Sequence, residues 1–185
     1  MLAMETLTAQ RSQPPELADV LREFQTESGR TLLEVTDQGP VLLLFLRHFG
    51  CAFCRQTLDQ VSTIREQIAA RGVSPVFVHL GTPERAKPFF DYYKLEDVER
   101  VSNPEGTLYR HAVFHLDRQP IWRHFLTPKV LAAWLGGTLR RYGLGKVEED
   151  GEQMPGVFVL KDRRIVNVFR YRTIADEPDY LKLIS

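Results

Sequence analysis

The stretch Val41-Leu-Leu-Leu-Phe-Leu-Arg-His-Phe-Gly-Cys-Ala-Phe-Cys-Arg55 decides how the rest of the chain is read. From Val41 to Leu46 it is continuously apolar, too short for a typical helix and bounded upstream by Gln38-Gly-Pro40, which is the pattern of a strand buried on both faces. After Cys54, apolar side chains recur at Leu58, Val61, Ile64 and Ile68, while Arg55, Asp59, Arg65, Glu66 and Arg71 occupy most of the opposite face. That 3.6-residue period predicts an amphipathic helix packed on a sheet and ended by Gly72. The turn between strand and helix holds the only two cysteines of the chain.

With Pro75-Val-Phe-Val-His-Leu80 as the next strand, the segment is a βαβ unit whose Cys-x-x-Cys turn is of the kind that carries thioredoxin-like redox sites. Residues three apart at a helix start lie one turn apart on one side, close enough for an unstrained disulfide. Cys51 falls at the first turn, where unpaired N–H groups and the helix dipole favour an anion, so Cys51 is expected to be the attacking sulfur. Cys54, one turn further in beside Phe53, is expected to resolve the mixed disulfide. The same spacing leaves a second reading open. His48-x-x-Cys51-x-x-Cys54 offers three soft ligands, so a zinc- or iron–sulfur-binding carrier is the alternative function, although a structural zinc site normally takes four ligands from two knuckles. Arg47, His48 and Arg55 are candidates for tuning the thiolate. His79 reads as a hydrogen-bonded structural histidine, and Phe89, Phe90, Tyr92 and Tyr93 as core and helix surface.

Working outward, residues 1–13 are small and polar and predict a flexible N-terminus, with one domain over residues 14–185. Pro15 suits the first turn of a helix carrying Leu17, Val20, Leu21 and Phe24 on one stripe. Arg30-Thr-Leu-Leu-Glu-Val35 is a strand candidate, and Thr82-Pro83 starts a helix that Pro88 should kink or divide. Val98–Val101 reads as an edge strand and Asn103-Pro-Glu-Gly106 as a turn into a short helix. A helical insertion is expected around residues 114–152, with the helical spacing of 128–142 interrupted at Gly136-Gly137. Its helix is placed to cover the redox face or to meet a second copy of the chain, which allows a homodimer. Gly156–Leu160 and Arg164–Arg170 predict an antiparallel hairpin, and a short helix closes the chain.

Composition bounds the function. Of the 185 residues, 43% are hydrophobic and 26% charged, and Lys plus Arg balances Asp plus Glu at 24 each, so nothing points to a nucleic-acid partner. The start lacks a basic region followed by an apolar core, and no apolar run has membrane-spanning length, so the expected compartment is the cytoplasm and no membrane association is expected. There, two close cysteines mean redox chemistry or metal more often than a structural staple.

Three separated motifs then carry a family resemblance: Phe45-Leu-Arg-His-Phe-Gly-Cys-Ala-Phe-Cys-Arg55, Asn103-Pro-Glu-Gly-Thr-Leu-Tyr-Arg110 and Gln153-Met-Pro-Gly-Val-Phe-Val-Leu160. In this order, over roughly residues 30–183, the chain resembles the peroxiredoxin-like branch of the alkyl hydroperoxide reductase/thiol-specific antioxidant superfamily, in the neighbourhood of selenoprotein L. The resemblance implies an α/β thioredoxin-like fold, a central mixed sheet flanked by helices. It also implies thiol oxidoreductase chemistry with an antioxidant role, a disulfide or hydroperoxide substrate, a thiol reductant such as thioredoxin or glutathione, and no organic cofactor or resident metal. Ordinary peroxiredoxins carry a threonine three residues before the cysteine, whereas here His48 stands three before Cys51 and Cys51 three before Cys54, and Pro155 stands where they carry an arginine. A proline at that place is similar to thioredoxins, so Met154-Pro155 is expected to be cis, to lie against both sulfurs, and to leave the Met154 backbone open as a substrate groove.

Overall fold

The computed structural model describes residues 16–125 and 127–185, so the expectation of a flexible 1–13 segment and the placement of Pro15 fall outside the described residues. Its centre is a five-stranded mixed sheet in the order β3-β2-β1-β4-β5. These strands are β1 (Val41–Phe45), β2 (Ser74–His79), β3 (Glu99–Ser102), β4 (Gly156–Lys161) and β5 (Arg164–Arg170). β1 pairs in parallel with β2, β2 in parallel with β3, and β4 runs antiparallel to both β1 and β5. The middle position of β1 explains its unbroken apolar run. Val41, Leu43 and Phe45 point to one face, Leu42 and Leu44 to the other, and all are at most 2% exposed.

The first face packs against α1 (Leu17–Glu23), α2 (Leu32–Thr36) and α5 (Thr107–Arg110) through Val20, Leu21, Leu32 and Tyr109. The second packs against α3 (Ala52–Ala69), α4 (Pro83–Tyr92) and α9 (Tyr180–Leu183) through Leu58, Val61, Ile68, Phe90 and Tyr180. Between β3 and β4 the chain makes α6 (Ile121–Phe125), α7 (Pro128–Leu135) and α8 (Thr138–Tyr142), with the break at Gly136-Gly137 where it was expected. No described helix is long and apolar enough to cross a membrane.

Two expectations about local structure are corrected. Arg30–Val35 contains no strand, because Thr31 and Glu34 form a reciprocal capping box. The Glu34 N–H donates to Thr31 Oγ1 at 3.1 Å and the Thr31 N–H to Glu34 Oε2 at 2.7 Å, which starts α2. Pro88 neither divides nor ends α4, which runs unbroken to Tyr92. Pro88 and Glu84 both lie on the exposed face of α4, where water can reach the backbone group that Pro88 leaves without an N–H partner.

Candidate redox site

Cys51 is the N-cap residue of α3, in extended conformation (φ −83°, ψ 123°), at the carboxyl end of β1. The Cys51 N–H donates to His48 O at 3.0 Å, which fixes the tight turn between strand and helix. β1 and β4 pair with Phe45 opposite Gly156, and this register brings Pro155 to the end of β1 despite its distance in sequence. Pro155, Cys51, Cys54, Phe53 and Tyr171 line a common cavity of about 20 Å³, room for about one water molecule.

Both thiols are free and buried, Cys51 at 6% and Cys54 at 4% exposure. Their acidities are driven apart. The Cys54 thiol donating to Cys51 holds the Cys51 pKa down to about 6 against the opposing effect of burial, with help from the Arg47 charge and the backbone N–H groups of Cys54 and Phe53. Cys54 is pushed well above the usual thiol range by the same hydrogen bond, by burial and by the Cys51 charge. The Arg47 N–H also donates to Cys54 Sγ at 3.3 Å. At neutral pH Cys51 is therefore the thiolate and Cys54 keeps its proton. Alkylation of Cys51 by iodoacetamide should be slow below pH 6 and rise with a midpoint near that value as the thiolate forms, with Cys54 reacting only in alkaline solution. Peptide mapping of the alkylated protein across pH checks this, and equal labelling of both sites at pH 7 would contradict it.

Arg47 is the buried cation of the site, 4% exposed. Its Nη1 lies 3.8 Å from Cys51 Sγ, its Nε donates to Gln153 O at 2.9 Å, and its Nη2 donates to Gly151 O. One side chain thus ties the thiolate to the segment that leads into β4. His48 is also buried, at 7%, and lines the space beside Cys51.

Arg55, the third expected tuning residue, is committed elsewhere. Its Nε donates to Phe49 O at 2.9 Å and its Nη1 to Tyr142 O at 2.8 Å, with the guanidinium carbon 5.2 Å from the Phe89 ring centroid. Its work is to clamp the segment after α8 onto the Cys-x-x-Cys loop. There Gly145 N–H donates to Gly50 O at 2.9 Å, and a Cβ at Gly50 would collide with the Lys146 carbonyl oxygen.

The expectations for Met154 and Pro155 hold only in position. Among the described residues no peptide bond is cis, so Met154-Pro155 is trans, although Pro155 does line the cavity at both sulfurs. Met154 is buried at 1%, and its N–H is occupied by Asp117 O at 2.9 Å. Residues 117–119 pair with 152–154 through an Arg118–Gln153 bridge and a Gln119 N–H to Glu152 O bond of 2.8 Å, so the chain itself fills the edge expected to receive substrate. Among the described residues no group of three or more His, Cys, Asp or Glu converges to hold a metal ion, and the three-ligand reading of His48, Cys51 and Cys54 finds no geometric support.

Two contributors were not anticipated. Tyr109 is fully buried, and its hydroxyl lies 2.5 Å from Leu46 O and 2.9 Å from Val78 O, sharing its one proton between the two carbonyls. It thereby fixes the Leu46–Arg47 peptide, whose N–H points at Cys54. Ile121, Leu144 and Val147 wall a groove beside Cys51. Tyr109 lies inside the Asn103–Arg110 motif, but no local signal marks its hydroxyl as a strand clamp. Leu144 and Val147 lie in coil and carry no period. His79 does as expected, with Nε2 3.0 Å from Glu27 Oε1.

No family model matches the chain, and no curated protein sequence does either. Among solved structures it is similar to the Mycobacterium tuberculosis peroxidoxin BcpB, with TM-score 0.61 and 16% identity over 87% of this chain and 89% of that one. A cysteine-to-serine mutant of Xanthomonas campestris peroxiredoxin Q matches with TM-score 0.59 and 12% identity over 88% of each chain. The Xanthomonas campestris bacterioferritin comigratory protein, in a study of alkyl peroxide reduction, matches with the same TM-score, identity and coverage. At these identities the likeness establishes the architecture: a thioredoxin-like fold, as the sequence motifs implied.

Proposed function

We propose that this chain is a thiol–disulfide oxidoreductase of the peroxiredoxin-like branch, with Cys51 attacking and Cys54 resolving. The observation that carries the reading is the polarised pair itself. One buried thiol is held at a pKa of about 6 and the other pushed well above the thiol range, on the first turn of one helix beside a buried arginine. That asymmetry matches the order of events in exchange, in which a thiolate attacks first and a protonated thiol waits until the mixed disulfide has formed.

Two oxidants fit the scheme. A disulfide would pass through a mixed disulfide on Cys51, and a hydroperoxide through a sulfenic acid on Cys51 that Cys54 condenses to the bridge with loss of water. A thiol reductant such as thioredoxin or glutathione would close the cycle in a reducing, cytoplasmic setting. The scheme requires no organic cofactor. A zinc or iron–sulfur carrier is not favoured, because a metal needs ligands beyond the two sulfurs and no group of three or more His, Cys, Asp or Glu converges among the described residues.

Mild oxidation should yield one intramolecular Cys51–Cys54 bridged peptide and loss of both free thiols by mass spectrometry. Oxidation that produced only intermolecular dimers would defeat the proposal.

A further inference from the structure

Beside Cys51 runs a second space of about 180 Å³, separate in character from the small cavity at Pro155. It is lined by the apolar side chains of Ala52, Phe53, Ile121, Leu144, Val147 and Ile174, together with Cys51, Arg47 and His48. Ile121 and Val147 converge over Gly151. A Cβ there would lie 3.1 Å from Ile121 Cδ1 and 3.3 Å from Val147 Cγ1. These wall residues are apolar and half open to solvent, Ile121 at 43%, Leu144 at 63% and Val147 at 51%.

Part of the polar backbone around the groove is paired within the chain. Gly50 O accepts from Gly145 N–H, Gly151 O accepts from Arg47, and the Arg47 Nε is committed to Gln153 O. A charged or strongly polar arm entering here would lose water and find few partners, whereas an apolar arm would gain by burial. Cys51 is only 6% exposed, so the arm must be thin to bring its reacting atom to the sulfur.

Resting on the redox reading above, we propose that this groove selects the substrate: a small disulfide whose apolar arm lies between Phe53 and the Ile121–Leu144–Val147 wall. The Cys51 thiolate attacks the near sulfur of RS–SR, the S–S bond breaks, and RS⁻ leaves and takes a proton from solvent. Cys54 then gives up its proton and attacks the Cys51 sulfur, releasing the second RS⁻ as RSH. The dithiol is oxidised to one disulfide and RS–SR is reduced to two thiols.

The test is a homologous series, dimethyl to dibutyl disulfide, whose leaving thiols have similar acidity and differ in apolar length. Each rate of Cys51–Cys54 oxidation is divided by that disulfide's rate with a small free thiol. The normalised rate should rise about fourfold per methylene until the groove is full, the factor expected for burying one CH₂. Val147→Asp, at a half-exposed position that can accept a carboxylate, should flatten that slope. A normalised rate independent of chain length would overturn the groove while leaving the redox reading intact. So would oxidation by hydroperoxides but by none of the disulfides. Failure of every disulfide, every hydroperoxide and diamide to join Cys51 to Cys54 would instead overturn the redox reading.

Discussion

Serine at Cys51 is expected to abolish turnover with any disulfide or hydroperoxide, a loss of at least about a thousandfold, because the hydroxyl is not ionised at neutral pH and cannot serve as the attacking anion. Serine at Cys54 should do something different. Its O–H still donates to the Cys51 sulfur, the largest of the effects that hold Cys51 near pH 6, so the first attack proceeds while the second sulfur is missing. The variant should accumulate a mixed disulfide between Cys51 and the attacked half of a disulfide substrate, seen by intact-mass spectrometry as an adduct that a reductant removes. Alanine at Cys54 removes the donor as well as the resolving sulfur, so Cys51 alkylation should shift to higher pH in that variant and not in Cys54→Ser. The reverse pattern, with Cys54→Ser silent and Cys51→Ser trapping an adduct, would make Cys54 the attacking sulfur.

What the sequence made legible was what local pattern controls. An apolar run bounded by Gly39-Pro40 and followed by a 3.6-residue stripe leaves little choice but buried strand and covering helix, and β1 and α3 follow that pattern. The hairpin of β4 and β5 was equally plain, though its turn is made by Asp162 and Arg163 at φ 51° and 57° with no glycine. At Arg30–Val35 capping prevails over apolar content. Thr31 and Glu34 stand at capping-box spacing, and that signal outranks a short apolar run. Met154-Pro155 is governed by tertiary packing instead. Whether an X-Pro bond is cis, and whether the preceding N–H is free, depends on what the rest of the chain packs against it, and here residues 117–119 take the edge. Likewise Arg47 and Arg55 are indistinguishable by local pattern. Only the tertiary course of residues 142–153 sends one guanidinium to the thiolate and the other to Tyr142 O.

Arg47 is where that tertiary course matters most for chemistry, and Arg47→Met should separate its two roles. The substitution removes the cation beside Cys51 Sγ, so the Cys51 pKa should rise from about 6 toward the ordinary thiol value near 8.5 without fully reaching it, because the Cys54 hydrogen bond remains. At pH 7 the thiolate fraction, and with it the alkylation rate, falls by at most about thirtyfold. It also leaves the Gly151 and Gln153 carbonyls without their buried donor, at a cost of about 2–4 kcal/mol, which for a chain of this size lowers Tm by roughly 5–15 °C. Arg47→Lys distinguishes the effects. It retains the charge, so the alkylation midpoint should move less than in Arg47→Met, but one ammonium cannot span both carbonyls and the sulfur, so most of the thermal loss should persist. An Arg47→Met alkylation profile that overlaid the wild type would show that the guanidinium holds the 151–153 backbone and contributes nothing to the reactivity of Cys51.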